Sequence, residues 1–149
     1  MSIKQKVLEH CHAYVKEKEE RLLSRYKLLQ ESLNNETKST AGDKHETGRA
    51  MVQLEQEKLG KQQKELQLLK QILKRVEVDK PTSNVSLGSL VKTDTHSYFL
   101  AIFANVFESK DERIFCISAA SPIGQCLLGK TVGESFFFNG KTVSILEVQ

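Results

Sequence analysis

The sequence predicts an α+β protein in which an N-terminal antiparallel α-helical coiled-coil hairpin precedes a small β-rich domain. Apolar residues recur every three or four positions in the first half of the chain, which is helical spacing, and every second position after Pro81, which is strand spacing. Residues 1–80 also carry 17 of the 22 Lys and Arg, whereas all seven Phe lie between Phe99 and Phe138. We therefore expect a helical domain at residues 1–80 and a β-rich domain at residues 81–149.

Two long amphipathic helices are predicted in the first domain. The apolar stripe of the first comprises Ile3, Val7, Cys11, Tyr14, Leu22, Tyr26, Leu29 and Leu33, with Lys18 in the one missing position. The stripe of the second comprises Leu59, Gln62, Leu66, Leu69, Leu73 and Val76, extended upstream by Met51 and Val52. The polar segment 34–42 separates them and offers Ser39 or Thr40 as a helix cap. Because each helix has one apolar stripe, the two can cover each other as an antiparallel pair.

Short strands and turns are predicted in the second domain. The strand candidates are residues 85–91, 98–107, 114–118, 136–138 and 141–148. A short helix is expected from Pro122 to Leu128, because Ser121 is a favourable N-cap and proline is favourable at the first helical position. Asn139 and Gly140 predict a type I′ hairpin turn, since both residues tolerate positive φ.

Charge and motifs exclude several functional classes. The net charge of +3 is too small to hold bare nucleic acid by phosphate neutralisation alone, so a partner must contribute. The phosphate-binding glycine loops G-x-x-x-x-G-K-[ST] and G-x-G-x-x-G and the zinc motif H-E-x-x-H are absent from the sequence. No apolar run is long enough for a signal peptide or a membrane helix. Cysteines at positions 11, 116 and 126 form no C-x-x-C pair, which favours a reduced, cytoplasmic protein. The lack of a long apolar run favours a protein without a membrane partner.

The sequence His10-Cys11-His12 has the composition of a metal site but the wrong spacing. Successive residues of a helix point about 100° apart, so three neighbours cannot converge on one ion. We expect Cys11 to lie in the apolar stripe, with a surface histidine on either side.

Two acidic residues begin the second helix. Asp43 and Glu46 stand three positions apart, so in a helix both carboxylates project from the same side of the first turn. One interpretation is that the helix dipole favours acids there. The other is a weak site for a hard divalent cation such as Mg²⁺, which another molecule completes with its own ligands. The surrounding polar residues are Lys38, Lys44, His45 and Arg49. These residues alone leave both interpretations open.

The most specific similarity to a known family lies near the C-terminus. Residues 121–134 read Ser-Pro-Ile-Gly-Gln-Cys-Leu-Leu-Gly-Lys-Thr-Val-Gly-Glu, and residues 139–148 read Asn-Gly-Lys-Thr-Val-Ser-Ile-Leu-Glu-Val. These segments resemble the S-P-[LI]-G-x-A-L-L-G-K-x-V-G-[DE] and N-G-K-x-x-x-I-L-x-[IV] signatures of the GreA/GreB transcript cleavage factors of bacterial RNA polymerase. Residues 42–46, Gly-Asp-Lys-His-Glu, are similar to the G-D-L-x-E sequence at the tip of the family's hairpin.

The resemblance implies a monomeric transcription elongation factor with an FKBP-like C-terminal domain. Its hairpin would enter the secondary channel of the polymerase, where Asp43 and Glu46 would be the catalytic carboxylates that help to place a Mg²⁺ shared with the polymerase. The chemistry would be hydrolysis of backtracked RNA, with the polymerase as the enzyme and no stand-alone activity of this protein. The further contacts it implies are Lys38, Lys44 and Arg49 with the RNA 3′ end, and Ser121, Pro122, Ile123 and Gly124 with the polymerase.

The sequence departs from the family pattern beside the tip. Glu46 is followed by Thr-Gly-Arg-Ala where the family usually continues E-N-A-E-Y, and Lys44 replaces an apolar residue. The family's N-terminal T-x-x-G-x-x-x-L pattern is also missing. A regulator that occupies the channel without stimulating cleavage is therefore the main alternative. A prolyl isomerase of the FKBP type and a coiled-coil adaptor are the two others.

Overall fold

The protein has two long helices followed by a six-stranded mixed sheet and one short helix, which confirms the predicted α+β class. The computed structural model describes residues 1–38 and 42–149, and the side chains of residues 36–47 lie outside the described part. The helices are α1 (Ile3–Lys38), α2 (Gly42–Arg75) and α3 (Pro122–Leu127). The strands are β1 (Leu90–Thr93), β2 (Ser97–Ala101), β3 (Val106–Glu108), β4 (Arg113–Ser118), β5 (Ser135–Phe138) and β6 (Lys141–Val148).

The chain forms two compact units. One contains Met1–Tyr14 and Lys70–Gln149, and the other contains Val15–Leu69. The first unit therefore includes the start of α1, the end of α2 and the whole sheet. The boundary between domains 1–80 and 81–149 follows composition and stays a prediction.

From Val15 onward, buried residues along the two long helices recur at intervals of seven, whereas Lys4, Val7 and Cys11 at the start of α1 are buried at shorter intervals. The residues at intervals of seven are Val15, Leu22 and Leu29 in α1, and Leu59, Leu66 and Leu73 in α2. Five of these belong to the predicted stripes, whereas Val15 does not, and Lys18 is exposed. Within the unit Val15–Leu69, Arg25 Nη1 donates a hydrogen bond to Gln62 Oε1 at 3.2 Å. The two helices thus contact each other in this unit.

The sheet has the strand order β3-β4-β2-β1-β6-β5. Strands β2 and β4 are parallel, and every other neighbouring pair is antiparallel. The parallel pair requires a crossover, which β3 and its flanking loops provide. Asn139 (φ 51°) and Gly140 (φ 78°) form the turn between β5 and β6, so the predicted hairpin is confirmed.

One face of the sheet packs against α3. The buried residues of this core are Val85, Val91, Leu100, Leu127 and Ile145, and half-buried residues around it include Ile123 and Phe136. Because side chains alternate between the faces of a strand, the neighbours of Leu100 on β2 point to the opposite face. Burial of these five aliphatic side chains contributes about 1.5–3 kcal/mol each to stability.

The start of α1 covers the other face of the sheet. Phe99 of β2 and Cys116 of β4 are directly paired and fully buried, and the thiol of Cys116 interacts with the thiol of Cys11 on α1. One residue earlier on α1, His10 Nε2 donates to the carbonyl oxygen of Ala104 at 2.6 Å. The unit Met1–Tyr14 with Lys70–Gln149 is therefore layered as helix, sheet and helix.

Two strand predictions were wrong in their extents. The run 98–107 is two strands, because Asn105 adopts a left-handed conformation (φ 57°) and reverses the chain between β2 and β3. The run 85–91 is irregular up to residue 89: Val85 N donates to Lys130 O, and Gly88 (φ 92°) N donates to Leu100 O. Apolar alternation marked residues that are buried, but it did not distinguish a strand from an irregular segment that packs equally well.

Candidate functional site

The two candidate carboxylates lie in the first turns of α2. Its range begins at Gly42, so Asp43 is its second residue and Glu46 follows three positions later in the same helix. The backbone placement agrees with the sequence prediction of acids at a helix start. The side chains of both residues, and those of Lys38 and Lys44, lie outside the described part of the chain. The cap candidates Ser39 and Thr40 lie outside it as well.

Arg49 is the one member of the predicted tip whose side chain is described. It lies in α2 and is exposed. It lies three positions after Glu46, which is close to one helical turn. An exposed guanidinium at this position is available to an anionic partner.

A basic cleft between α1 and α2 is a feature that the sequence analysis missed. It lies within the unit Val15–Leu69 and has a volume of about 230 Å³. Its lining residues are Lys18, Arg21, Leu22, Arg25, Gln62, Glu65, Leu66 and Leu69. Three cations and one carboxylate make the lining net positive. The sequence signal for this cleft is the spacing of Lys18, Arg21 and Arg25 along α1. Lys18 was interpreted only as a polar residue that interrupts the apolar stripe.

The two arginines of this cleft form only weak electrostatic interactions with neighbouring side chains. Arg21 Nη2 lies 3.9 Å from Glu17 Oε1, and both side chains are more than half exposed. An exposed pair of this kind contributes about 0–1 kcal/mol and exchanges readily for another anion. Arg25 donates to the neutral amide of Gln62, so its charge is not neutralised by that bond. The cleft therefore has the electrostatics to attract phosphate or carboxylate groups.

Ser121 is the N-cap of α3, as predicted. Its backbone is extended (φ −69°, ψ 157°), and its Oγ accepts a hydrogen bond from Gly124 N at 3.1 Å. The same hydroxyl donates to Ser118 O at 2.6 Å. Ser121 therefore joins the end of β4 to the start of α3, and this role alone explains a serine at this position.

The other three residues of the Ser-Pro-Ile-Gly segment have different environments. Pro122 occupies the first position of α3 and is exposed, whereas Ile123 packs against the core. Gly124 is buried, and a Cβ there would overlap the carbonyl oxygen of Ser118. Of the four residues, Pro122 is thus the one whose side chain is exposed, and the others hold the start of α3 in position.

The Thr-Val-Gly-Glu part of the C-terminal motif forms a hydrogen-bonded turn. Glu134 Oε1 accepts from both the backbone N and the Oγ1 of Thr131, at 3.0 and 2.9 Å. These bonds favour the charged carboxylate, and so the Thr131 hydroxyl, followed by the Thr131 amide, lowers the pKa of Glu134 below 4.5. Because the folded-state pKa is lowered, the stabilisation is present above pH 4.5 and is lost as the pH falls through the folded-state pKa.

We expect Thr131→Val to raise the pKa of Glu134 towards 4.5, because it removes the hydroxyl donor and keeps the side-chain shape. Carboxyl-carbon NMR titration measures this pKa directly. Thr142→Val, at an exposed position on β6, is the matched control and should leave the Glu134 titration unchanged. An unaltered Glu134 pKa in Thr131→Val would show that the hydroxyl bond does not form.

Cys11 and His10 of α1 pack against the sheet and do not form a metal site with His12. Cys11 is buried as expected, and the neighbouring Cys116 thiol together with burial raises the pKa of Cys11. The predicted surface location of His10 was wrong, because its ring donates to Ala104 O and packs edge-on against Phe107 at 5.7 Å. His12 is exposed. The partially buried position of His10 depends on tertiary contacts with Ala104 and Phe107, which lie far away in sequence, so local spacing could not predict it.

The described residues contain no group of three or more His, Cys, Asp or Glu side chains that could hold a metal ion. In the same part of the chain, no helix has an apolar stretch long enough to cross a membrane. Comparison of the chain with protein-family models and with curated proteins finds no match.

Proposed function

We propose that this protein is a transcription elongation factor that enters the secondary channel of bacterial RNA polymerase and stimulates the polymerase's own Mg²⁺-dependent cleavage of backtracked RNA. The observation that carries the proposal is the position of Asp43 and Glu46, three residues apart at the start of a 34-residue helix that follows a 36-residue helix. Helices of this length extend about 50 Å at 1.5 Å per residue, which would allow the start of α2 to reach into a deep channel.

The proposal requires the two helices to form an antiparallel coiled-coil hairpin. The seven-residue spacing of the buried positions supports it, because heptad spacing is typical of helices that pack along a common seam. The bond from Arg25 to Gln62 supports it as well, since it joins the middle of α1 to the middle of α2. Only three residues separate Lys38 from Gly42, which favours an antiparallel arrangement.

In this function the protein contributes carboxylate ligands, and the polymerase remains the enzyme. Asp43 and Glu46 supply hard oxygen donors, which are the type that Mg²⁺ prefers, but two donors are too few to fill its octahedral shell. The polymerase must therefore supply the rest. Asp43 and Glu46 would help to hold this Mg²⁺, which would supply activation of a water molecule and neutralisation of charge on the phosphate. Lys38, Lys44 and Arg49 would contact the RNA 3′ end.

The C-terminal domain is proposed to be FKBP-like and to bind the rim of the channel. The exposed ring of Pro122 is the contact that the Ser-Pro-Ile-Gly segment offers, while the cap formed by Ser121 and the close approach at Gly124 hold α3 in place. The protein is expected to act in the cytoplasm as one copy per polymerase.

The basic cleft favours a partner with an acidic surface. We expect Arg21→Gln combined with Arg25→Gln to weaken binding to the polymerase about fivefold at roughly 0.1 M salt, and less at higher salt, because surface charge is screened. Fluorescence titration across a salt series measures this effect. Lys61→Gln combined with Lys64→Gln is the control, since it removes the same charge from exposed positions of α2 outside the cleft. Equal losses in both variants would contradict a specific role of the cleft.

The experiment that tests the function is transcript cleavage by a stalled, backtracked elongation complex with and without this protein. We expect the protein to accelerate release of the 3′ RNA fragment in the presence of Mg²⁺. Binding without acceleration would instead favour the non-cleaving channel regulator, which the lysine between the two acids makes the second candidate. Absence of binding to the polymerase would overturn both.

A further inference from the structure

The two edges of the sheet differ in how they are protected. The strand order places β3 at one end and β5 at the other, and each pairs with only one strand. An edge strand exposes backbone N–H and C=O groups that can pair with another chain, and proteins usually block such edges with charge, proline, a bulge or a cover. Comparing the two edges therefore identifies the one that is open to pairing.

The β3 edge has several of these protections. It is only three residues long, and its last residue, Glu108, forms an ion pair with Arg113 at 3.4 Å. The ring of His10 packs edge-on against Phe107 in the middle of the strand. The next residues, Ser109-Lys110-Asp111-Glu112, add three charges. Pairing of another chain along β3 would have to displace or desolvate these groups.

The β5 edge has none of them among its own residues. Its sequence is Ser135-Phe136-Phe137-Phe138, without charge or proline, and its pairing with β6 is regular over all four residues. The side chain of Phe137 is 71% exposed, which is the most exposed phenylalanine of the described chain. A phenylalanine at this exposure leaves apolar area in water that an interface would bury.

The register of the hairpin indicates which backbone groups face outward. Phe138 and Lys141 flank the two-residue turn and so form the closing hydrogen-bonded pair. Bonding directions alternate along an antiparallel strand, so Phe136 also bonds to β6, whereas Ser135 and Phe137 direct their N–H and C=O groups away from it. The outward donor and acceptor of β5 are thus centred on its most exposed side chain.

We propose that β5 pairs with β5 of a second copy of this chain, antiparallel about a two-fold axis that passes beside Phe137. In this register the Phe137 backbones of the two copies exchange two hydrogen bonds, and their rings lie directly opposite each other on one face. Phe136 of each copy then faces Phe138 of the other on the opposite face. Directly paired residues share a face of the sheet, and this register satisfies that requirement.

A second copy is the occupant because the edge is complementary to itself. The two-fold axis brings every group of β5 against an identical strand, and a strand without charge does not repel its own copy. The contact involves four residues per chain, well below the area of about 1,600 Å² of a standard interface. Association is therefore weak and concentration-dependent. It does not depend on the proposed function, since no polymerase takes part.

Sedimentation equilibrium over a concentration series up to about 1 mM tests the proposal with the full chain. We expect the average mass to rise from 16.9 kDa towards twice that value. Phe137→Pro removes only an outward N–H and should weaken association at least tenfold. Phe137→Lys places like charges opposite each other and should do the same, so it serves as a second variant if the proline disturbs folding.

Leu146→Lys is the matched control. Leu146 is 58% exposed and lies on β6, inside the sheet rather than at its edge, so its replacement should leave association unchanged. A constant mass of 16.9 kDa at every concentration would overturn the proposal. Association that survives both Phe137 variants would overturn it too. Association that Leu146→Lys abolishes would also overturn it, because the exposed apolar surface around Leu146, rather than the β5 edge, would then be the interface.

Discussion

Gly124→Ala is expected to destabilise the protein by about 2–4 kcal/mol. A Cβ at this position would overlap the carbonyl oxygen of Ser118 and lie 3.0 Å from both Ala119 Cα and Ser121 Oγ. Two of these neighbours are backbone atoms, which cannot rotate away as a flexible side chain can. Overpacking of a rigid site costs about 1–3 kcal/mol, and loss of the Ser121 cap costs about a further 1 kcal/mol.

Chemical denaturation of the wild-type protein and the variant measures this difference. Gly60→Ala is the matched control, because it makes the same chemical change inside α2 where nothing lies within 4 Å of the added Cβ. Alanine is favoured over glycine in a helix interior, so this variant should gain about 0.5–1 kcal/mol. A Gly124→Ala variant as stable as the wild type would show that the loop from Ser118 to Ser121 moves freely, against the close packing described here.

Asp43→Asn combined with Glu46→Gln is expected to abolish stimulated RNA cleavage, with a loss of about 10²-fold or more. The amides keep the shape of the acids but remove both anionic ligands, and a missing electrostatic contact at a reacting centre costs about 10²–10³ in rate. Binding to the polymerase should change less than twofold, because most of the proposed contacts lie elsewhere. Fragment release from a backtracked complex, measured beside a binding titration, separates the two effects.

Glu31→Gln combined with Glu57→Gln controls for the change in net charge. Both residues are exposed on the long helices, one on α1 and one on α2, far along the chain from the two acids at the start of α2. This variant should retain stimulated cleavage. If the tip variant retained it as well, the carboxylates would have no catalytic role, and the acids would be explained by the helix dipole alone.

The positions of the helices and of the β5–β6 hairpin could be predicted from sequence because local chemistry determines them. Spacing of apolar residues every three or four positions located α1 and α2, Ser121 and Pro122 located the start of α3, and Asn139-Gly140 located the turn. Each signal acts within a few residues of the feature it predicts. The location of Asp43 and Glu46 at the start of α2 could be predicted in the same way. The transcript-cleavage role assigned to them stays a prediction.

Features that depend on distant residues could not be predicted. The break between β2 and β3 depends on the left-handed conformation of Asn105, which asparagine permits but does not require. The contact of Cys11 with Cys116 and the bond from His10 to Ala104 form only when α1 packs on the sheet. The basic cleft likewise requires two helices side by side. One helix alone shows only a row of cations.

The layering of Met1–Tyr14 against the sheet sets an order of events during translation. Residues 1–14 leave the ribosome before the rest of the chain described here, but they contact residues as late as Cys116, in a sheet that is complete only with β6, which ends at Val148. At about 5–20 residues per second, the sheet residues that residues 1–14 contact are synthesised on the order of 10 s after residues 1–14 themselves. A fragment that starts at residue 81 would lack this cover and leave the Phe99 and Cys116 side of the sheet open to water.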